Sequence, residues 1–351
     1  MKNNKRPAPA PDALVVDGKV NLGTFDRPPR NVNLRESDFL GLGAATPDWL
    51  RSLRFKQWHF YLLVSRLHVF AVAAVDMGLA KSSFFYAYDR ENKKYCEYNR
   101  MGPGIDVSLP ASLYEGKGRF HAKGHRIDIH NSLDSGRHEI RVELAAGKGA
   151  PAVSAEWTVH QSLDKNPPLI VSLPAGGRRS MYSHKMIAPL SGKARIGCKE
   201  IVFDPATDYA VLDEHQAYYP RHIYWKWAAF GFAGKDGPVG ANFTDNMIKD
   251  QRSWNENAIW TPGGISLLGP AHFEFDIKDL MKPWRITDED GRIELDFKPL
   301  GIKKDYLNAL IMKNDYRQPF GLFNGRMVDD SGAAHEVKDG FGVTEYFDAL
   351  L

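Results

Sequence analysis

The stretch Tyr218-Tyr219-Pro220-Arg221-His222-Ile223-Tyr224-Trp225-Lys226-Trp227-Ala228-Ala229-Phe230-Gly231-Phe232 is the strongest single constraint on how this chain folds. Successive side chains of an extended strand point to opposite faces. A strand here therefore sets Ile223, Trp225, Trp227 and Ala229 on one face and His222, Tyr224, Lys226, Ala228, Phe230 and Phe232 on the other. Both faces carry aromatics, so the strand needs cover on both sides. A barrel wall supplies that cover when its lumen and its outer surface both meet apolar groups. The Trp residues fit plain core packing, and they equally fit a lumen that holds an apolar ligand.

The rest of the chain agrees with an all-β reading. From Trp58 onward, short runs of aromatic and β-branched residues are broken at Gly, Pro, Asn and Asp. Arg126 to His130 and Arg137 to Leu144 alternate with period 2 around a connector ending at Gly136, which predicts a hairpin. His272 to Ile277 and Arg292 to Phe297 repeat the pattern around Thr287 to Gly291, and a second hairpin is expected there. Helical signal is confined to Ser37 to Leu42, Thr46 to Leu53, Ile277 to Met281 and Lys304 to Met312, each a turn or two.

The chain's 351 residues exceed what one core usually holds, and the two hairpins suggest a domain-sized repeat. Gly136-Arg137-His138-Glu139-Ile140 resembles Gly291-Arg292-Ile293-Glu294-Leu295, and each half has a Trp-led strand upstream, at Trp58 and Trp225. The expectation is a flexible, extended N-terminal lead-in over 1–30, a first barrel over 31–185 and a second over 186–351, with the crossover within Arg179 to Arg195.

Charge and motifs narrow the function classes. With 46 basic and 43 acidic side chains the net charge is +3, too small to drive phosphate binding, so nucleic acid is not an expected partner. Cys96 and Cys198 stand too far apart for a disulfide framework or a CxxC metal site and fit a reducing cytosol. The basic N-terminus lacks the apolar run of a signal peptide, and no apolar stretch is long enough to span a bilayer, so a soluble cytoplasmic protein is expected. Walker, GxGxxG, GxSxG and HExxH motifs do not occur, and no cofactor is expected. His121, His125, His130 and His138 do not share one strand face with a carboxylate or Cys, and no metal site is expected.

Chemistry-bearing candidates gather in the second half. Asn242 to Asn246 and Arg252 to Trp260 place carboxylates and amides among Trp and Phe, where a desolvated carboxyl keeps its proton nearer neutral pH. Asp245 and Glu256 are the pair to watch as a general acid, although turn capping uses the same residue types. Glu274 and Glu345, on Phe- and Tyr-rich stretches, share that ambiguity. Tyr219, Arg221, Tyr224, Trp225, Trp227, Asn257 and Trp260 are the candidate ligand-binding residues.

Tyr219-Pro220-Arg221, the aromatic strand Tyr224 to Trp227, Glu256 to Trp260, Pro283-Trp284 before Asp290-Gly291, and the closing Phe320-Gly321, Asn324-Gly325 and Gly340 to Glu345 together resemble a bacterial family described only as a domain of unknown function. That family is similar to the lipocalin-like superfamily of the AttH proteins and the hydroxyneurosporene synthases, which are carotenoid 1,2-hydratases. The resemblance implies two lipocalin-like barrels in tandem. It also implies, by role, an acid such as Asp245 or Glu256 that protonates an alkene. Three functions follow: a binder of a hydrophobic small molecule of fatty-acid, lipid or terpenoid type in an aromatic-lined barrel; a cofactor-independent hydratase, isomerase or cyclase; and an interaction protein whose lumens are packed solid.

Overall fold

A computed structural model describes residues 6–350 apart from 103, 104, 148, 310 and 311. The chain forms two curled antiparallel β-barrels in tandem, with one α-helix, Asp48–Arg54, and three short 3-10 turns among the described residues. None of these helices is long and apolar enough to cross a membrane.

The first sheet runs from the edge strand Lys94–Met101 through Lys81–Asp89, His68–Asp76, Phe55–Val64, Tyr209–Tyr218, Ser180–Ile196, Val153–His160, Arg137–Leu144, His125–Ser132 and Gly116–Ala122 to Asp106–Ser108. It curls until Asp106–Ser108 lies near His68–Asp76. The second sheet is ordered Gly264–Leu267, Ala258–Thr261, Gly237–Asn246, His222–Gly234, Ala334–Leu350, Met312–Val328, Ile293–Ala309, Trp284–Asp288 and Ala271–Glu274. Its end strand Ala271–Glu274 likewise lies near Gly237–Asn246.

Both lumens are filled. In the first, Phe70, Trp157 and Phe203 meet at ring separations of 5.3 to 6.0 Å among Ile127, Ile140 and Val142. In the second, Phe323 stacks on Phe230 at 4.4 Å and meets Phe297 at 4.6 Å. A third apolar cluster lies between the barrels and joins Phe60, Leu62 and Tyr209 of the first to Trp227, Phe320 and Val343 of the second. The aromatic strand His222–Gly234 thus finds its two covers: Ala228 and Phe230 face the second lumen, and Trp227 and Ala229 face the first barrel.

The boundary differs from the one expected at 185/186. Ser180–Ile196 is one continuous strand of the first sheet, paired with Tyr209–Tyr218, and the second sheet begins at His222. Pro189 and Gly192 read as a break in sequence, but Pro189 is accommodated opposite Tyr209 and Gly192 at φ +132° opposite Trp157. Nor is the N-terminal segment a loose lead-in: Gly23–Phe25 pairs with Leu169–Pro174, and Leu14, Val15 and Phe25 pack on Tyr182 and Tyr218.

The first expected hairpin forms, with Gly136 at φ +70° in its turn. The second is rearranged. Trp284–Asp288 intervenes, pairing with Ala271–Glu274 on one side and Ile293–Ala309 on the other. Of the expected helical turns, the one after Thr46 is the α-helix, whereas Lys304 to Ala309 continues a strand.

Candidate functional site

A cavity of about 230 Å³ lies between the two barrels rather than inside either. Its walls come from outward-facing residues of both sheets. Alternation along Phe55–Val64 turns Trp58 and Phe60 into it, while Tyr61 and Leu63 fill the first lumen. Trp225 and Trp227 enter from the second barrel, and Trp58 approaches Trp225 to 5.7 Å between ring centroids. Phe347 stacks on Trp225 at 4.0 Å, and exposed Arg100, Met101 and Leu307 form one rim.

One end of this aromatic cavity is charged. Asp213 and His215 sit two apart on Tyr209–Tyr218 and share the inter-barrel face; cross-strand pairing places Lys185 opposite Asp213 and Ser183 opposite His215. Lys185 Nζ donates to Asp213 Oδ1 at 2.6 Å, and Trp58 Nε1 donates to Oδ2 at 3.2 Å. Burial opposes both charges, but their attraction prevails, lowering the Asp213 pKa and raising that of Lys185. Glu256, 4% exposed, brings Oε1 to 3.7 Å from Lys185 Nζ, and that oxygen makes no hydrogen bond among the described residues. Burial, together with the nearby Asp213 charge, raises the Glu256 pKa against the pull of Lys185.

His215 is stacked on Trp58 at 4.1 Å with the rings 7° from parallel. Its Nδ1 lies 2.6 Å from Ser183 Oγ and its Nε2 2.6 Å from the Tyr219 hydroxyl. Burial pushes its pKa down to about 3, so the imidazole is neutral near pH 7.

A second carboxyl, Glu345, faces the same cavity from Ala334–Leu350. Trp225 Nε1 donates to its Oε1 at 2.6 Å and Gln318 Nε2 to its Oε2 at 3.0 Å, while Gln318 Oε1 accepts from the Tyr86 hydroxyl at 3.2 Å. Desolvation pushes its pKa up to about 7 in spite of these donors and that of Tyr316. A carboxyl balanced this way exchanges a proton readily at neutral pH.

The sequence candidates divide. Tyr219, Trp225, Trp227, Glu256 and Glu345 line the cavity. Asp245 does not: it sits one residue out of phase with Thr244, on the other face of its strand, and pairs with Lys226 at 2.7 Å with both side chains a third exposed. Arg221 is exposed, and Tyr224 lies on the face opposite Trp225 and is 42% exposed. Asn257 is structural, accepting from the Thr244 amide at 2.7 Å and donating to the Gly269 carbonyl at 2.8 Å. Trp260 is buried between the barrels, its Nε1 on the Pro167 carbonyl at 2.9 Å, without lining the cavity. Glu274 is exposed.

Lys185, Asp213, His215, Ser183 and Gln318 escaped the sequence reading. Their signal was Asp213-Glu214-His215-Gln216, four polar residues inside an otherwise apolar strand. Such a run reads as a solvated edge unless both faces of the strand are known to be covered. Among the described residues no group of three or more His, Cys, Asp or Glu side chains could hold a metal ion. His138 is buried on Asn131 and Gln161, while His121 and His125 bond Asp128 and Ser83.

A search of curated proteins returned no match. Among solved structures, kievitone hydratase from Nectria haematococca aligns over 90% of this chain and 91% of its own, at 10% identity and a TM-score of 0.47. The model of a family described as Domain of unknown function (DUF2804) matches residues 8–350, so that the protein belongs to that family.

Proposed function

We propose that the protein takes a small, largely apolar molecule into the cavity between its barrels and catalyses cofactor-independent proton transfer on it, as a hydratase or isomerase. The carrying observation is the pair of buried carboxyls, Glu345 and Glu256, both with raised pKa, that face an aromatic-walled cavity. Glu345 is the group that exchanges a proton with substrate carbon. Trp58, Trp225 and Trp227 offer π faces that stabilise positive charge as it develops on an alkene. Asp245, the other acid expected from sequence, has no place in this reading because it lies outside the cavity.

A simple carrier would need only the apolar walls. Burying Lys185, Asp213, Glu256 and Glu345 together costs desolvation energy that binding an apolar molecule does not repay, and that favours the enzyme over the carrier. The expected ligand site also moves out of the barrels, whose lumens are packed with side chains.

The test uses 2-tetralone, an apolar bicyclic ketone, as the probe. Its titration should quench tryptophan fluorescence saturably in the wild type, because three Trp side chains line the cavity. Ala73 lines the same wall, and Ala73→Phe should fill the cavity and abolish the quenching while the melting transition is retained. Saturable quenching that survives Ala73→Phe, or none in the wild type, would place binding elsewhere or nowhere.

A further inference from the structure

The cavity holds proton-handling groups of two kinds. Glu345 is a carboxyl beside the Trp225 indole, and near the same indole stands a phenol, Tyr219, whose ring lies 6.3 Å from that of Trp225. Behind the phenol a chain of polar groups runs through buried Ser183 to Glu256, which itself lines the cavity. Tyr219 Oη meets His215 Nε2 at 2.6 Å, His215 Nδ1 meets Ser183 Oγ at 2.6 Å, and the Ser183 hydroxyl neighbours the Glu256 carboxyl and helps to lower its pKa. Ser183 is fully buried and does not line the cavity, so its place in the chain is not explained by contact with a ligand there.

Each member except the terminal carboxyl both donates and accepts, and the chain therefore has two polarities. With Glu256 ionised, Tyr219 donates to Nε2, Nδ1–H donates to Ser183, and Ser183 donates to Glu256. With Glu256 protonated every bond reverses, and Nε2–H donates to the phenol oxygen. The phenol hydrogen is then left with Met181 Sδ, 3.7 Å away. A thioether is a weak acceptor that a substrate oxygen displaces.

We infer that Tyr219 is a catalytic acid fed through His215 and Ser183 from Glu256, and that the substrate is an apolar ketone or enone whose oxygen it engages while Glu345 acts at the neighbouring carbon. This rests on the reading of the cavity as a proton-transfer site. In the step, the Glu345 carboxylate takes a proton from the carbon next to the carbonyl. The C–H electron pair becomes the new C=C bond, and the carbonyl π pair moves to oxygen, which takes the Tyr219 proton. The phenol oxygen takes the Nε2 proton of His215, Nδ1 takes the proton of Ser183, and Ser183 takes that of Glu256. The products are an enol, a neutral Glu345 and an ionised Glu256. Return of the Glu345 proton to the original carbon, or to the far end of a conjugated enol, with reversal of the chain, restores the resting state and yields exchange or isomerisation. Burial holds the Tyr219 pKa well above its ordinary value, so a lone phenolate is disfavoured and immediate reprotonation through His215 is required.

The experiment follows hydrogen–deuterium exchange at the carbons flanking the 2-tetralone carbonyl by NMR in D2O, with binding measured in parallel by tryptophan fluorescence. The wild type should accelerate exchange over buffer, and Glu345→Gln should remove the acceleration. Tyr219→Phe and Ser183→Ala should each cut the rate at least tenfold with affinity changed less than threefold, and Ser183→Thr should restore it. Ser183→Ala is the sharper variant, since a structural role would move melting temperature or affinity rather than rate alone. Exchange at the wild-type rate in folded Tyr219→Phe and Ser183→Ala overturns the relay and leaves the cavity reading standing. Binding without any acceleration by the wild type overturns the relay and its ketone substrate class. Failure of 2-tetralone to bind at all overturns the cavity reading, and the relay with it.

Discussion

At the scale of single residues, two carboxyls one position apart from each other's world show how strand geometry divides labour. Asp213 and Glu214 are neighbours in sequence, yet Asp213 faces Lys185 between the barrels and Glu214 faces the first lumen, where Gln216 donates to it at 2.9 Å. Burial, with the Asp213 charge adding to it, pushes the Glu214 pKa up to about 8. A carboxyl whose folded-state pKa is raised contributes stability that is fully present below its unfolded value and is lost as pH rises through the folded value. Stability should therefore decline on account of Glu214 from about pH 4.5 to about pH 8, by a few kcal/mol (about 1.4 kcal/mol per pKa unit). Denaturant titrations of Glu214→Gln and wild type should give similar stabilities at pH 5 and a more stable variant at pH 9. A difference independent of pH would show that Glu214 is already ionised, or not buried, in the folded protein.

At the scale of elements, the decisive property is that strands near the site are covered on both faces. Phe55–Val64, Tyr209–Tyr218 and His222–Gly234 each send one set of side chains into a lumen and the other into the space between barrels. In His222–Gly234 this was legible, because both sets are aromatic or aliphatic. In Tyr209–Tyr218 it was not, because buried Asp213, Glu214, His215 and Gln216 carry no mark that separates them from a solvated edge. The same pleat excludes Asp245, which on composition looked equal to Glu256. Asp245→Asn breaks a surface pair with Lys226 and should cost less than about 1 kcal/mol. It should leave probe exchange at the wild-type rate, checked by the same NMR assay; a large loss would return Asp245 to the catalytic machinery. Fold class and the first hairpin were readable from alternation alone. The second hairpin differs because Trp284–Asp288, a strand that begins directly after Pro283 and runs into the expected Thr287 to Gly291 turn, inserts itself between the two arms.

At the scale of the whole molecule, the two lumens are packed with side chains and the cavity lies between the barrels. The interface is knitted by hydrogen bonds as well as apolar contact. The Tyr209 hydroxyl reaches the carbonyls of Gly231 and Phe341, and Lys303 of the second barrel donates to Glu97 and Asn99 of the first at 2.9 and 3.1 Å. A tandem arrangement then has a reason: neither barrel alone carries both Glu345 and the Tyr219 to Ser183 chain beside Lys185 and Asp213. The sequence boundary was misplaced because Ser180–Ile196 serves the first sheet over its whole length, and its Pro and Gly resemble a linker.

The most direct test of a site between the barrels is an anomalous difference map from a crystal soaked with 6-bromo-2-tetralone. The bromine peak should lie in the inter-barrel cavity against Trp58 and Trp227, which line it, with the ketone oxygen toward Tyr219. A peak within either lumen, or no peak in a crystal whose protein binds the compound in solution at another surface, would contradict the account.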